Sequence, residues 1–366
     1  MRPTMSVSVK QHHLGIDKPR EELHTLRDDE SRSGSSSGSA SAFVTTEMLY
    51  YHVVLGSYSI KELQVFEHQT LPTALNVTVP GKAKGEKKDK DKDKDKDKDG
   101  KDKDKNQGKE LPQRLRVDMV RHSVLLNGET SIVTGDIIAK NGIIHYIDVP
   151  LNPPPTTKAI LSIIPEQFST FALALSHTGL DSHLNATQRT TGTTFAPTND
   201  AFRALGPRVN AFLFSPQGEE CLRYLLKYHL VLDKTIYSDV IYGEKGKVDE
   251  CGVEVVAQEK IGLKGPGGNG GNYPVVHVVS PTLLDGYDVT VDILWRDSAV
   301  DFRVNGFWEP RTLDVLASDG VIHVLERILI PPKIVSGKVK GKERGNDKVT
   351  VEMLREWMNL DARMEL

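Results

Sequence analysis

Apolar positions change their spacing several times along this chain, and each change predicts an element. From Thr157 to Leu175 they recur at helical intervals, with Pro165 making a break. From Glu219 to Tyr228 the run Cys221-Leu222-Arg223-Tyr224-Leu225-Leu226 has the stripe of an amphipathic helix. Alternation with a period of two marks strands at Arg114 to Val120, Ser123 to Leu126, Ile132-Val133 and Ile143 to Val149. A strand-rich region runs from Val253 to Ile330 and contains a Gly-rich loop at 265–272. A short helical pattern within 43–80 leads into Tyr50-Tyr51-His52-Val53-Val54-Leu55. Pro153-Pro154-Pro155 and Pro331-Pro332 act as stiff separators, and 349–366 reads as an amphipathic helix with Val351, Leu354, Trp357, Met358 and Leu360.

Two stretches lack the pattern. Residues 1–42 end in a Ser/Gly linker, Ser31 to Ser39, which predicts a disordered N-terminal segment. Residues 81–110 are almost free of large apolar side chains. Ten Lys and nine acidic residues alternate over 86–105. Like charges then fall at i and i+4, and Asp is a poor helix former, so a disordered, nearly neutral insertion is expected. A surface loop of that length costs little thermodynamically.

Composition narrows the function. The formal net charge of −3 gives no electrostatic attraction to nucleic acid or to an anionic membrane. No stretch is apolar for long enough to span a bilayer. No apolar core of a signal peptide is visible near Met1, and no hydrophobic tail closes the C-terminus. The two cysteines, Cys221 and Cys251, make no disulfide framework; pairing and free thiols both stay open.

The chain repeats itself. Tyr51-His52-Val53-Val54-Leu55 recurs as Tyr228-His229-Leu230-Val231-Leu232, 177 residues on, and Asn141-Gly142-Ile143-Ile144-His145 recurs as Asp319-Gly320-Val321-Ile322-His323, 178 residues on. Both copies then run into proline. Two motifs in one order at nearly one offset imply a duplicated domain.

Thr194-Phe195-Ala196-Pro197-Thr198-Asn199-Asp200-Ala201-Phe202 resembles the first conserved box of fasciclin domains. Asp319-Gly320-Val321-Ile322-His323-Val324-Leu325 is similar to their second box, and Tyr228-His229 to the Tyr-His pair between the boxes. All three stand in family order within 157–332. The first copy has Tyr51-His52 and a second box at Asn141 to Ile147, but nothing before Tyr51 resembles a first box, so that repeat reads as truncated. The resemblance implies an α+β fold for each repeat, a small β-sheet core with helices packed at one end. It also implies a non-enzymatic adhesion or matrix-interaction module at a cell surface, outside the cell or in a vacuole. Partner binding is associated with the Tyr-His pairs, here Tyr51, His52, Tyr228 and His229.

The same residues read sensibly as structure. Thr198 or Asn199 can cap the helix that begins at Asp200-Ala201-Phe202. Gly320 supplies a positive-φ hairpin position. His52 and His229 follow helical segments and can bond a helix end, while His145 and His323 alternate with strand apolars. No nucleophile, base and oxyanion donor gather, so no catalytic residues, cofactor or metal are expected.

Three short patterns are weaker than their surroundings. Gly265 to Gly270 meets a dinucleotide pattern but leads into a strand at Tyr273 to Val278. Asp95 to Gly100 mimics a calcium loop but lacks its closing Glu. Leu313-Asp314-Val315 resembles a short integrin-binding motif on the approach to a buried strand. Asn76-Val77-Thr78 and Asn185-Ala186-Thr187 are acceptor sequons in polar, turn-like stretches.

The expected organisation is a disordered segment 1–42, a truncated first domain 43–150 with its insertion at 81–110, a complete second domain 157–332, and a tail 333–366. Expected partners are protein or cell-surface and matrix ligands, with self-association through the incomplete first domain and no nucleic acid. The alternative is an intracellular scaffold built on the same fold, favoured by the absent signal peptide.

Overall fold

The computed structural model describes residues 45–79, 109–184, 192–232, 234–242, 275–296, 299–331, 334–335, 338–339 and 350–355. The expectations for 1–42, for most of the Lys/Asp insertion, for the glycine-rich loop, for Asn185 and for Cys251 lie outside these residues.

The first repeat opens with α1 (Thr46–Tyr51). Thr45 caps it by accepting a bond from Met48 N, and Glu47 sits in the positive first turn. A second short helix, α2 (Ile60–Leu63), has a complete capping box between Ser59 and Glu62. Five antiparallel strands follow in chain order: β1 (His68–Val79), β2 (Lys109–Val120), β3 (Ser123–Leu126), β4 (Thr130–Ala139) and β5 (Gly142–Ile147). Strand β1 was not expected. Pro72 and an irregular register between Pro72 and Asn76 disguise its alternation. Its end pairs with the start of β2, Val79 opposite Lys109, so the two ends of the Lys/Asp insertion are held side by side as in a hairpin. The insertion therefore leaves from and returns to one point of the sheet.

The second repeat begins with α3 (Thr157–Ile163) and α4 (Pro165–His177), divided where Pro165 takes the first helical position. A 3-10 turn over Leu180–Leu184 precedes β6 (Thr193–Pro197), α5 (Asn199–Ala204), α6 (Pro207–Leu213) and α7 (Glu219–Tyr228). Short strands β7 (Leu230–Val231), β8 (Thr235–Ile236) and β9 (Ile241–Tyr242) come next. They are followed by β10 (Val275–Pro281), β11 (Asp288–Arg296), β12 (Ala299–Val304), β13 (Thr312–Ala317) and β14 (Gly320–Leu325). One sheet runs β10-β11-β12 and another β13-β14-β6-β7, in which β6 lies parallel to β14. Both first-box ends are used: β6 is wholly buried, and Thr198 caps α5 by accepting from Ala201 N. Asn199 bonds instead to α4, accepting from Thr170 N and donating to the carbonyls of Pro165 and Glu166.

Helices α3, α4 and α7 cover this sheet and bury Phe168, Phe171, Leu222 and Leu226 against Phe195, Ile322 and Val324. Leu354, from the helical turn at 351–355, joins the same core. The α+β architecture expected for each repeat is what the chain adopts. Among the described residues of the first repeat, α1 and α2 flank the sheet and no counterparts of α3 to α6 or β6 appear.

Candidate functional site

The Tyr-His pairs do the same structural work twice. In the second repeat His229 lies at the C-terminal end of α7. Its Nδ1 donates to Leu225 O at 2.6 Å, and its Nε2 accepts from Leu329 N at 2.9 Å. In the first repeat His52 Nδ1 donates to Met48 O at 2.6 Å, and Nε2 accepts from Leu151 N at 3.0 Å. Each ring thus clips the last turn of a helix to the chain that leaves the sheet. The neutral Nδ1–H tautomer is the one that satisfies both partners. Burial pulls His229 down to about 4, against the helix carbonyl bond that favours its charged form. The preceding tyrosines are equally occupied. Tyr51 donates to Arg114 O and accepts from Asn127 Nδ2, while Tyr228 donates to Asp288 O and accepts from Asn305 Nδ2. Tyr51, Tyr228 and His229 are fully buried, and only His52 of the four is exposed.

The second-box histidines follow the same rule. His323 donates from Nε2 to Ile236 O and accepts at Nδ1 from Asp314 N; His145 donates to Tyr58 O and accepts from Asp136 N. Asp314, the centre of the short integrin-like tripeptide, is fully buried, so that pattern offers no surface.

Asp314 instead belongs to a polar junction that the sequence did not reveal. His68 on β1 stands between two carboxylates, with Nδ1 2.6 Å from Asp118 Oδ1 and Nε2 2.7 Å from Asp314 Oδ2. Both ring nitrogens face carboxylate oxygens, so both donate and the ring is an imidazolium. Burial alone would lower its pKa, but the bonds to Asp118 and Asp314 outweigh it and hold it at about 9. Asp314 is held below the usual carboxylate range. Burial opposes this, and the bond from the His68 imidazolium, with the Ser238 bond beside it, wins.

Around this pair Arg116 Nη1 donates to Leu313 O, Ser238 donates to Asp314, and Thr70 donates to Asp239 from both N and Oγ1. Arg114 pairs with Asp239 and lies over the Tyr237 ring. Leu111 packs with Tyr237, Leu316 and Val321 beside it. Three acids and three bases from two repeats interlock, so the first repeat docks on the second through β2 and β13. Alternating Arg114, Arg116 and Asp118 on one face of β2 was the available signal: charges at i, i+2 and i+4 on a strand mark a face that is not plain core.

The docked first repeat keeps an uncovered face. Its positions map onto the second by the 177–178 offset, and the counterparts differ in burial. Leu49 is 58% exposed where Leu226 is 1%, Ile144 is 51% where Ile322 is 0%, and Tyr146 is 62% where Val324 is 3%. Val53 is 53% exposed where its counterpart Leu230 is 0%. These are core positions, and among the described residues no helical layer covers them as α4 and α7 cover their counterparts in the second repeat.

Of the sequons, Asn76 is exposed within strand β1, not in a turn. Cys221 is buried in α7, and burial pushes its thiol up to about 11. Among the described residues no group of three His, Cys, Asp or Glu could hold a metal ion, and no helix is long and apolar enough to cross a membrane.

Comparison with known proteins agrees with the internal repeat. A model of the fasciclin domain matches residues 41–153 and 166–269. The chain is 29% identical to aurofusarin biosynthesis cluster protein S of Gibberella zeae over 233 residues, 60% of this chain and 54% of that one. It is 31% identical over 137 residues to Stabilin-2 of Rattus norvegicus, 34% of this chain and 10% of that one. Transforming growth factor-beta-induced protein ig-h3 of Sus scrofa is 30% identical over 120 residues, 32% of this chain and 16% of that one. The chain thus spans about half of the first relative and a small part of the others. A solved FAS1 domain pair from the insect cell adhesion molecule Fasciclin I matches with 16% identity and a TM-score of 0.36, over 78% of this chain and 79% of that one. With two matched segments that together span more than half its length, the chain belongs to the fasciclin domain family.

Proposed function

We propose that this protein is a non-enzymatic adhesion or surface-interaction module whose two repeats form one unit and whose contact surface is the uncovered face of the first. The observation that carries this reading is the exposure of Leu49, Val53, Ile144 and Tyr146, core positions by their counterparts, on a repeat already docked firmly elsewhere. An apolar face of this kind marks a site for another macromolecule. The histidines that would serve as acids or bases have both ring nitrogens engaged in holding the fold. The fasciclin family, whose model matches residues 41–153 and 166–269, supports the same reading through the adhesion role that the resemblance implies. Partners are protein, cell-surface or matrix ligands. Two copies meeting by this face would self-associate, and the same exposed residues favour that second form.

The test coats a surface with the purified chain and counts attached cells of its own host, beside Ile144→Asp and Tyr146→Asp variants. Attachment is expected on the parent and reduced severalfold on both variants. Attachment no better than on a blocked surface refutes the adhesion reading. Sedimentation of the same three proteins reads self-association as a concentration-dependent mass.

A further inference from the structure

We infer that the free edge of β5 is a strand acceptor. It takes, in parallel, an extended segment of the Thr-Thr-Phe-Ala-Pro kind carried by a different protein, in the place that β6 holds in the second repeat. The inference rests on the uncovered face being the contact surface, and adds what binds there and how.

The second repeat supplies the template. β6 runs parallel to β14 with Val321 opposite Thr193 and Leu325 opposite Pro197. Val321 N donates to Gly192 O at 3.0 Å, and Leu325 O accepts from Thr198 N at 2.9 Å. The offset of 178 carries Val321 and Leu325 onto Ile143 and Ile147. β5 is the last strand of its sheet, paired only with β4, so the Ile143 N–H and the Ile147 carbonyl lie on a side where no strand stands among the described residues. The strand is held in the matching orientation, since His145 bonds Tyr58 O as His323 bonds Ile236 O. Its sequence, Gly142-Ile143-Ile144-His145-Tyr146-Ile147, carries neither a Lys nor a Pro, the residues that commonly protect an edge.

One glycine makes the case specific. Gly320 has φ 144°, and a Cβ there would meet Gly192 O at 2.2 Å, so the approach of the chain entering β6 requires glycine. The first repeat has glycine at the same place, Gly142, yet a Cβ on it would meet nothing within 4 Å. The clearance exists on β5, and among the described residues no strand uses it.

The template also states the chemistry of the occupant. Opposite His145 it carries an aromatic residue, as Phe195 stacks on His323 with ring centroids 5.7 Å apart. Next comes a small residue, as Ala196 is fully buried, and then a proline that ends the strand. The described chain's own segment of this kind, Thr193–Pro197, is engaged on β14. Strand addition of this sort draws affinity from the main chain and selectivity from alternate side chains.

The probe is a fluorescein-labelled peptide with the sequence of residues 192–200, titrated against the full chain by fluorescence anisotropy. Saturable binding is expected for the parent chain and at least tenfold weaker binding for Gly142→Val, whose melting temperature stays at the parental value because its side chain enters open space. Equal binding to both proteins, or none to the parent, overturns the inference. So does a parental dimer that Gly142→Val dissolves in the absence of peptide, which gives the edge to a second copy. A drop in melting temperature of Gly142→Val alone gives it to a segment of this same chain, and also overturns it. Cell attachment without peptide binding sinks the strand acceptor and leaves the adhesion reading; peptide binding without attachment does the reverse.

Discussion

Replacing His68 with Ala tests the junction that joins the two repeats. The substitution removes an imidazolium lying within 2.7 Å of both Asp118 and Asp314. Asp118 retains Arg116, whose Nε is 2.7 Å from Asp118 Oδ2. Asp314 is fully buried and keeps only the Ser238 bonds and the neutral His323 as neighbours. Removing one partner of a buried pair costs about 3–5 kcal/mol, because the remaining charge stays uncompensated.

The titration of His68 provides a second route to the magnitude. Its folded pKa of about 9 lies above its ordinary value of 6.5. A pKa raised on folding adds stability that is complete below 6.5 and is lost as pH rises through 9. About 2.5 units at about 1.36 kcal/mol each give ~3 kcal/mol, in line with the first figure. Urea unfolding of the parent should show one cooperative transition near neutral pH and lose that stability between about pH 6.5 and pH 10. The His68→Ala chain should be weaker by ~3 kcal/mol at neutral pH, should lack that alkaline slope, and should unfold in two steps, the first repeat before the second. A single transition within about 1 kcal/mol of the parent, with the alkaline slope intact, would refute the junction as the joint between repeats.

Three further outcomes are expected. His229→Gln should lower the stability of the second repeat by about 1–3 kcal/mol, since the Leu225 carbonyl and the Leu329 N–H lose a shared partner; unchanged melting would refute the clip. The folded pKa of His229, about 4, lies below 6.5, so the unfolded chain binds the proton first; the parent should lose stability as pH falls from 6.5 toward 4, and the variant should not show that acid loss in chemical denaturation. Gly320→Ala should cost about 3 kcal/mol or more in thermal unfolding, because its Cβ meets Gly192 O at 2.2 Å, while Gly142→Ala should be near neutral; equal effects would contradict the unequal covering of the two hairpins. Protein purified from its own host should lose mass on N-glycosidase treatment if it is secreted, with exposed Asn76 one acceptor, and Asn76→Gln should remove part of that loss; an unchanged parental mass counts against the secretory route.

Much of the architecture was legible because it rests on local rules. The helix over Glu219–Tyr228, the break at Pro165 and the cap before α5 follow from periodicity, proline geometry and a short polar side chain. The duplication was legible because two motifs kept their spacing. Strand β1 was hidden, since its pairing to β2 closes across the Lys/Asp insertion and its proline disturbs the alternation. Which Tyr-His residues are reachable could not be read from the chain either. His52 and His229 carry the same motif and make the same bonds, yet one is exposed and one buried: Phe171 of α4 lies 6.4 Å from the His229 ring, and no such helix lies over His52 among the described residues. The junction of His68 with Asp118 and Asp314 was beyond any local rule. His68 and Asp314 are 246 residues apart, and a histidine becomes a lasting cation only when folding brings carboxylates to both of its nitrogens.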